Sequence, residues 1–410
     1  MNCRHCKTEL VNVFADLNFS PISNAMLSEA QLHEPEIYFP LKIFVCSNCF
    51  LVQVDEMEKA EKIFDEEYTY FSSFSSSLLK HSKKYVDMMI ERFGYNSQSQ
   101  IIEIASNDGY LLQYFKENNI PVLGIDPAAN TAQAAQDKGI DTIVEFFGAD
   151  FAQNELADRQ IMGDLILGNN VLAHVPDIND FVKGMKIALK EEGVITMEFP
   201  HFMRLVEDTL FDTIYHEHFS YLSFYSVKKI FESQGLEMFD VEIVPTHGGS
   251  LRIFAKHKED NTKEISANVN ALIEKELVAG INQIDSYCGF QNKIDKIKYD
   301  TWTFLIEEKK KGKKIIAYGA AAKGNTLFNY CGIKGTDIIK FVIDASPHKQ
   351  NKFLPGSHIP VVDESEINKY KPDYVIIIPW NLKDEIINQL SYIREWKGKF
   401  VIFLPETQVF

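Results

Sequence analysis

Apolar and polar positions come in short bursts along this chain, and the bursts divide it into five stretches. Between residues 99 and 260, compact apolar runs at Ile101–Ala105, Pro121–Ile125, Asp164–Gly168, Gly193–Phe199 and Leu251–His257 alternate with longer amphipathic stretches. Short apolar runs bounded by turn residues predict strands, and the stretches between them predict helices. The same alternation returns in 313–410, with strands expected at Lys314–Tyr318, Ile338–Ile343, Tyr374–Ile378 and Lys399–Phe403. Strands separated by helices imply parallel sheets with right-handed crossovers. Residues 61–98 read as a polar, aromatic-rich connector running into a helix, and 261–312 as a charged helical linker. Residues 1–60 follow neither rhythm; they read as two or three strands, including Glu36–Val45, around paired cysteines. The expected fold is α/β: a small metal module at 1–60, then Rossmann-like domains at 99–260 and 313–410.

Composition narrows the function. An apolar content of 45% over 410 residues supplies material for several buried cores. A formal net charge of -16 argues against broad nucleic-acid binding, which needs a basic surface. No apolar run is long enough to span a bilayer, and the opening MNCRHCKTEL is too polar for a signal peptide. The expectation is a cytoplasmic monomer with no nucleic-acid or membrane partner.

Four of the six cysteines form two C-x-x-C knuckles, Cys3–Cys6 and Cys46–Cys49, with 39 residues between the pairs. Four thiolates match tetrahedral Zn2+, and the tight turn of each knuckle aims two sulfurs at one point. With four protein ligands no coordination position stays open, so the metal is structural. Two unrelated thiol pairs, or a redox dithiol, are the competing readings.

The run Ile101-Ile-Glu103-Ile-Ala-Ser106-Asn107-Asp-Gly109 is strand, tight polar turn, helix start. Such a turn lets backbone approach a nucleotide. With Gly109 as its only glycine, a dinucleotide pyrophosphate is not favoured; S-adenosylmethionine, which has no phosphate, needs no glycine-rich loop. Asp126, closing the next strand in Gly-Ile-Asp-Pro, sits where a carboxylate accepts ribose hydroxyls. Asp164–Asn170 then carries a strand into a polar loop at the carboxyl edge. Each feature alone also reads as a surface group at a strand end.

In the last domain, Lys314–Thr326 is strand, small-residue turn, helix. Its glycine and alanine residues let an anion approach the helix N-terminus. Lys323 adds a cation and Asn325 a polar neighbour, Asp344 ends the following strand, and Trp380 follows a later one, suited to a nucleobase. A plain packing turn, or a second S-adenosylmethionine or nicotinamide site, are the alternatives to a sugar-nucleotide diphosphate.

EIASNDGYLL, GIDPA, NNVLAHVPD, YHEHFSYLS and HGGSLRIF resemble the C-methyltransferases that act on thymidine-diphosphate-linked keto-deoxysugars. The resemblance covers nearly the whole chain, knuckles and second α/β unit included. It implies a zinc module, a central class I methyltransferase domain and a C-terminal Rossmann-like domain, with the active site in a cleft between the last two. In the family pattern Tyr-x-Glu-His, the histidine corresponds to His218. Carbon methylation beside a ketone needs a base to remove a proton, and an imidazole suits that task near neutral pH. His218 is therefore expected as the base, Glu217 and Tyr215 as groups that orient the sugar or hold the enolate, and His174 as another active-site residue. Tyr68 or Tyr70 is expected to reach the sugar from the connector. His216 and His218 also read as strand-spaced metal ligands. An O- or N-methyltransferase, or a non-catalytic zinc-knuckle binding protein, are the alternatives to C3 methylation of a 4-keto sugar.

Overall fold

The computed structural model describes residues 1–58 and 71–410. In chain order the strands are β1 (Asn12–Ser20), β2 (Phe39–Val45), β3 (Val52–Val54), β4 (Ile101–Ile104), β5 (Val122–Ile125), β6 (Thr142–Ile143), β7 (Gly163–Asn169), β8 (Leu189–Pro200) and β9 (Ser220–Tyr221). They continue with β10 (Leu236–Val244), β11 (Ser250–His257), β12 (Ile315–Tyr318), β13 (Ile339–Ile343), β14 (Val361–Val362), β15 (Tyr374–Ile377), β16 (Lys399–Ile402) and β17 (Gln408–Val409). Four helices matter below: α1 (Ser76–Phe93), α2 (Leu112–Glu117), α3 (Ile178–Ala188) and α4 (Ala322–Cys331). The chain folds as two compact units, each gathered from three stretches. Unit 1 is Met1–Val11, Cys46–His201 and Phe219–Ser286; unit 2 is Asn12–Val45, Phe202–His218 and Tyr287–Phe410.

Unit 1 is built on a seven-stranded sheet in the order β10-β11-β8-β7-β4-β5-β6. Every residue of β4 is buried, as a strand covered on both faces requires. α1 begins at Ser75, whose side chain accepts the Leu78 amide, and ends at Gly94 in the left-handed region, the usual helix stop. Its Tyr85, Val86 and Met89 join Ile101, Leu112, Phe115 and Leu165 in one core. β4 pairs in parallel with β5 on one side and β7 on the other. The chain leaves β4 toward one side of the sheet and resumes on the other, and at such a switch point open α/β sheets bind ligands beyond their strand ends.

The sheet is not wholly parallel. β10 and β11 pair antiparallel, and β11 is antiparallel to β8. β10 escapes a reading by apolar runs because Glu237, Asp240 and Glu242 interrupt it. Those acids are matched by structure: Asp240 takes Arg92 at 2.6 Å, Glu242 takes Arg252 at 3.0 Å and Glu237 takes Lys256 at 3.4 Å.

Unit 2 carries an antiparallel β1/β2 hairpin and a six-stranded sheet in the order β14-β13-β12-β15-β16-β17. That sheet is parallel except for β17. β12 is again the central strand where the direction of winding changes, and the turn after it leads into α4. Among the described residues no helix is long and apolar enough to cross a membrane.

Candidate active site

The knuckles converge. The sulfurs of Cys3, Cys6, Cys46 and Cys49 all lie within 4.8 Å of one another, with Cys3–Cys49 and Cys6–Cys46 each at 3.5 Å. Disulfide sulfurs sit about 2 Å apart, whereas tetrahedral zinc with bonds of about 2.3 Å spaces its sulfurs by roughly 3.8 Å. Lys7 and Phe50 take positive φ to turn each knuckle back. Gln53 Nε2 donates to Cys3 Sγ at 3.3 Å and the Asn48 amide to Cys46 Sγ at 3.4 Å, bonds that favour thiolate. This donor set fits a closed, structural zinc.

The turn after β4 is held in an unusual backbone shape, with positive φ at Ala105, Asn107 and Gly109. Side chains in that region are uncommon and collect at functional sites. Asp126 fixes the turn: its Oδ2 accepts the Asn107 amide at 2.8 Å, and its Oδ1 accepts the Ala128 amide at 3.0 Å and Thr131 Oγ1 at 2.9 Å. A carboxylate has about four acceptor positions, so Asp126 retains room for one further hydroxyl. The connector closes over the turn, with the Ser72 amide on Asn107 Oδ1 at 2.8 Å and Ser73 Oγ on Asp108. Beneath lie Glu103 and Ser106, both fully buried; among the described residues the Glu103 carboxyl has no partner beyond a weak approach of the Leu112 amide, and the Ser106 hydroxyl makes no hydrogen bond. Burial first, then the charges of Asp126 and Asp108, push the Glu103 carboxyl well above its ordinary range. Buried polar groups of this kind call for a partner, and the hydroxyls and cationic groups of S-adenosylmethionine fit them.

The turn after β7 lies at the same edge of the sheet. Asn170 has positive φ, its amide donates to the Glu198 carbonyl at 2.7 Å, and its Nδ2 meets His247 Nε2 at 3.1 Å. His174 closes the 3-10 turn Leu172–His174 that follows. Glu198, buried in β8, accepts from Thr246 Oγ1 at 2.7 Å, His81 Nε2 at 2.9 Å and Arg252 Nη2 at 2.8 Å. Burial works to raise its pKa, yet His81, Arg252 and Thr246 together bring it down to about 2.

In unit 2 the segment Tyr215–His218 sends alternate side chains to different neighbours. His218 Nδ1 lies 2.8 Å from the Thr213 carbonyl and its Nε2 lies 2.8 Å from the Tyr215 hydroxyl. A carbonyl only accepts, so Nδ1 carries the proton and Nε2 presents its lone pair. His216 turns instead to the Pro40 carbonyl, 3.1 Å from its Nε2. The two histidines thus address different carbonyls, and the four cysteines are the one grouping of metal-ligand type among the described residues. Glu217 is buried, accepts the Asn24 amide at 3.0 Å and Asn24 Nδ2 at 3.2 Å, and burial raises its pKa.

The turn after β12 packs on this segment within the same unit. Thr326 Oγ1 donates to the Ile214 carbonyl at 2.8 Å, and Asn325 Nδ2 to the Ser23 carbonyl. Lys323 Nζ donates to Asn381 Oδ1 at 2.8 Å and stands 4.3 Å from the centre of the Trp380 ring. The Trp380 indole N–H is given to Asp212 Oδ2 at 2.8 Å. Burial raises the Asp212 carboxyl to about 6, against the pull of Lys323. Asp344 accepts the Ala320 amide at 2.7 Å and the Ser346 amide at 2.8 Å, so it braces the turn itself. Tyr68 and Tyr70 lie outside the described residues.

Three family models match the chain in succession: a zinc binding domain at 3–64, a methyltransferase domain at 78–241 and the C-methyltransferase C-terminal domain at 245–405. The C-methyltransferase NovU of Streptomyces niveus is 32% identical over 99% of this chain and 96% of its own length. The chain belongs to the zinc-binding C-methyltransferases. It is an S-adenosylmethionine-dependent methyltransferase with a structural zinc module. Among solved structures, magnesium protoporphyrin IX methyltransferase of Synechocystis PCC 6803 is similar at 12% identity, covering 43% of this chain and 78% of that one, with a TM-score of 0.33. A SAM-dependent methyltransferase from Archaeoglobus fulgidus is similar at 15% identity, covering 42% and 94%, with a TM-score of 0.34.

For this C-methyltransferase, sequence reasoning passed over several groups the structure brings to the sites. Ser72 and Ser73 clasp the turn after β4 from a stretch that reads only as serine-rich connector. Glu198 lies within an apolar run and reads as a strand residue. Asp212 belongs to no motif; its burial beside Lys323 and Trp380 depends on contacts between distant parts of the chain.

Proposed function

We propose that this C-methyltransferase methylates the carbon beside the ketone of a nucleotide-diphosphate-linked deoxysugar, C3 of a 4-keto sugar, with His218 as the base. The observation that carries the reading is the Tyr215–His218 pair, in which the Thr213 carbonyl fixes the tautomer and leaves the Nε2 lone pair as proton acceptor. A carbon next to a ketone becomes nucleophilic once its hydrogen is removed. His218 Nε2 takes that hydrogen. For this the Tyr215 hydroxyl first turns from Nε2 to the substrate carbonyl oxygen, which frees the Nε2 lone pair for the proton and places a donor on the oxygen that becomes the enolate. Bound S-adenosylmethionine supplies an electrophilic methyl group on a sulfonium. Glu103, Ser106, Asn107, Gly109, Asp126 and Asn170 hold the donor, and His174 joins the acceptor side. Glu217 keeps the catalytic segment against Asn24. Lys323, with two N–H groups beyond its bond to Asn381, and the N-terminus of α4 receive the diphosphate. Asn325 shapes that turn, Asp344 holds it, and Trp380 faces the base. The substrate is taken by a cytoplasmic monomer without nucleic acid or membrane.

The test is incubation with a panel of thymidine-diphosphate-linked 4-keto deoxysugars in D2O, with and without labelled S-adenosylmethionine. Deuterium is expected at the carbon beside the ketone, and label at that same carbon when donor is present. An oxygen or nitrogen acceptor gives label without carbon-bound deuterium. No label transfer to any sugar of the panel defeats the proposal.

A further inference from the structure

Arg4 sits inside the first knuckle, between the zinc ligands Cys3 and Cys6, and is buried. Its amide donates to Gln53 Oε1 at 2.9 Å, and Gln53 in turn donates to Cys3 Sγ at 3.3 Å. The guanidinium reaches the other way. Nη2 donates to the Val54 carbonyl at 2.6 Å and Nη1 to the Pro176 carbonyl at 2.9 Å, while Cζ lies 5.3 Å from the centre of the Phe219 ring. His5 makes a second tether: Nδ1 lies 2.8 Å from Asn179 Oδ1, and Asn179 Nδ2 donates to the His5 carbonyl at 2.8 Å.

One contact of Arg4 and both contacts of His5 fall on one loop, and Val54 anchors the other end of the guanidinium. Pro176 and Asn179 bracket the passage from His174 into α3, and Phe219 is peptide-bonded to His218. Both residues between the ligands of a zinc knuckle would ordinarily be solvated, since the metal needs only their backbone turn. Here both reach the loop, Arg4 through Pro176 and His5 through Asn179, while Arg4 also holds the Val54 carbonyl of β3. A planar guanidinium with fixed N–H directions can hold two carbonyls at a set spacing, which a lysine cannot.

We infer that Arg4 is a positioning residue: it carries the geometry of the zinc site to the 171–179 loop and so sets where His174 stands for methyl transfer. The inference rests on the reading above for the role of His174, and on the contacts alone for the tether.

The test uses full-length Arg4→Met, Arg4→Lys and His174→Asn. Arg4→Met is expected to keep its zinc by metal analysis and to bind S-adenosylhomocysteine within about twofold of the parent by calorimetry, since the donor turn is untouched. Amide exchange at 171–179 is expected to quicken about tenfold or more while the sheet strands stay unchanged. Methyl transfer to a thymidine-diphosphate-linked 4-keto deoxysugar is expected to fall about 10–100-fold in kcat with little change in KM, as when the outer support of a metal site is cut. Arg4→Lys recovers part of the loss. Stripping zinc from the parent with a chelator loosens the same amides. If zinc-loaded Arg4→Met exchanges at 171–179 like the parent, or exchanges faster uniformly across every strand, the tether is refuted. Local loosening supports the tether even where His174→Asn proves fully active, a result that would count against the role of His174 instead. Should Arg4→Met fail to fold, Asn179→Ala cuts the second tether from the loop side and is read by the same local exchange.

Discussion

One nitrogen of His218 is committed to a carbonyl and the other is offered to a hydroxyl, so its removal should strike the chemical step alone. For His218→Asn we expect kcat to fall by about 10²–10⁴, the range of a lost positioned base. Affinity for S-adenosylhomocysteine is expected to stay unchanged, because the proposed base acts on the sugar and not on the donor; calorimetry beside initial rates separates the two. Asp212 makes a prediction about pH. Its carboxyl is pushed from 3.8 to about 6 by burial. The folded state therefore holds that proton where the unfolded chain has released it, and stability falls as pH rises from about 4 to 6, then levels off. At about 1.4 kcal/mol per pH unit the effect is roughly 3 kcal/mol. Urea unfolding across this window should show a gentler fall for Asp212→Asn than for the parent. The cysteines were legible because each knuckle is local, and spacing alone states its chemistry. Asp212 was not legible, because its raised pKa comes from burial that only folding produces, opposed by Lys323 and Trp380, residues remote in sequence.

Among the elements, the donor turn depends on a missing side chain. A Cβ on Gly124 would stand 2.5 Å from Ser106 Oγ and 2.9 Å from Thr142 Oγ1. For Gly124→Ala the Ser106 hydroxyl must move, and overpacking of this sort costs about 1–3 kcal/mol. We expect affinity for S-adenosylhomocysteine to weaken about tenfold by calorimetry, and an unchanged affinity would show that Ser106 does not face the donor. The strands beside this turn, β4, β5 and β7, were readable because apolar residues dominate each short run, with Glu103 the one acid inside β4 and Asp164 near the start of β7. β10 was not, since its acids are neutralised by Arg92, Arg252 and Lys256 from other elements. The turn after β12 had the small-residue signature of a ligand loop, yet its Asp344 serves the turn's own amides. Sequence pattern locates such a loop without telling which of its groups remain for a ligand.

At the scale of the molecule, zinc fastens residues 1–11 to the rest of unit 1, because two of its ligands come from that stretch and two from the next. Removing the metal leaves buried thiols without their shared partner, and binding energy at such sites is folding energy. A strong chelator is expected to lower the thermal midpoint of unfolding by roughly 10 °C or more, several kcal/mol for a domain of this size. Calorimetry with and without added zinc checks this, and a midpoint that ignores the chelator would mean that the knuckles hold without metal.

The interleaving of the two units also governs how the polypeptide emerges from the ribosome. Phe14 of β1 stacks on Phe290 with ring centres 4.5 Å apart, so an aromatic made early waits for a cover made long afterwards. Unit 1 has all its residues once Ser286 has emerged, while unit 2 has only its hairpin and one short segment. Contacts so distant along the chain close slowly and leave apolar surface bare meanwhile. The nascent hairpin therefore stays uncovered until the last stretch of unit 2 is made, and neither unit can be isolated by a single truncation.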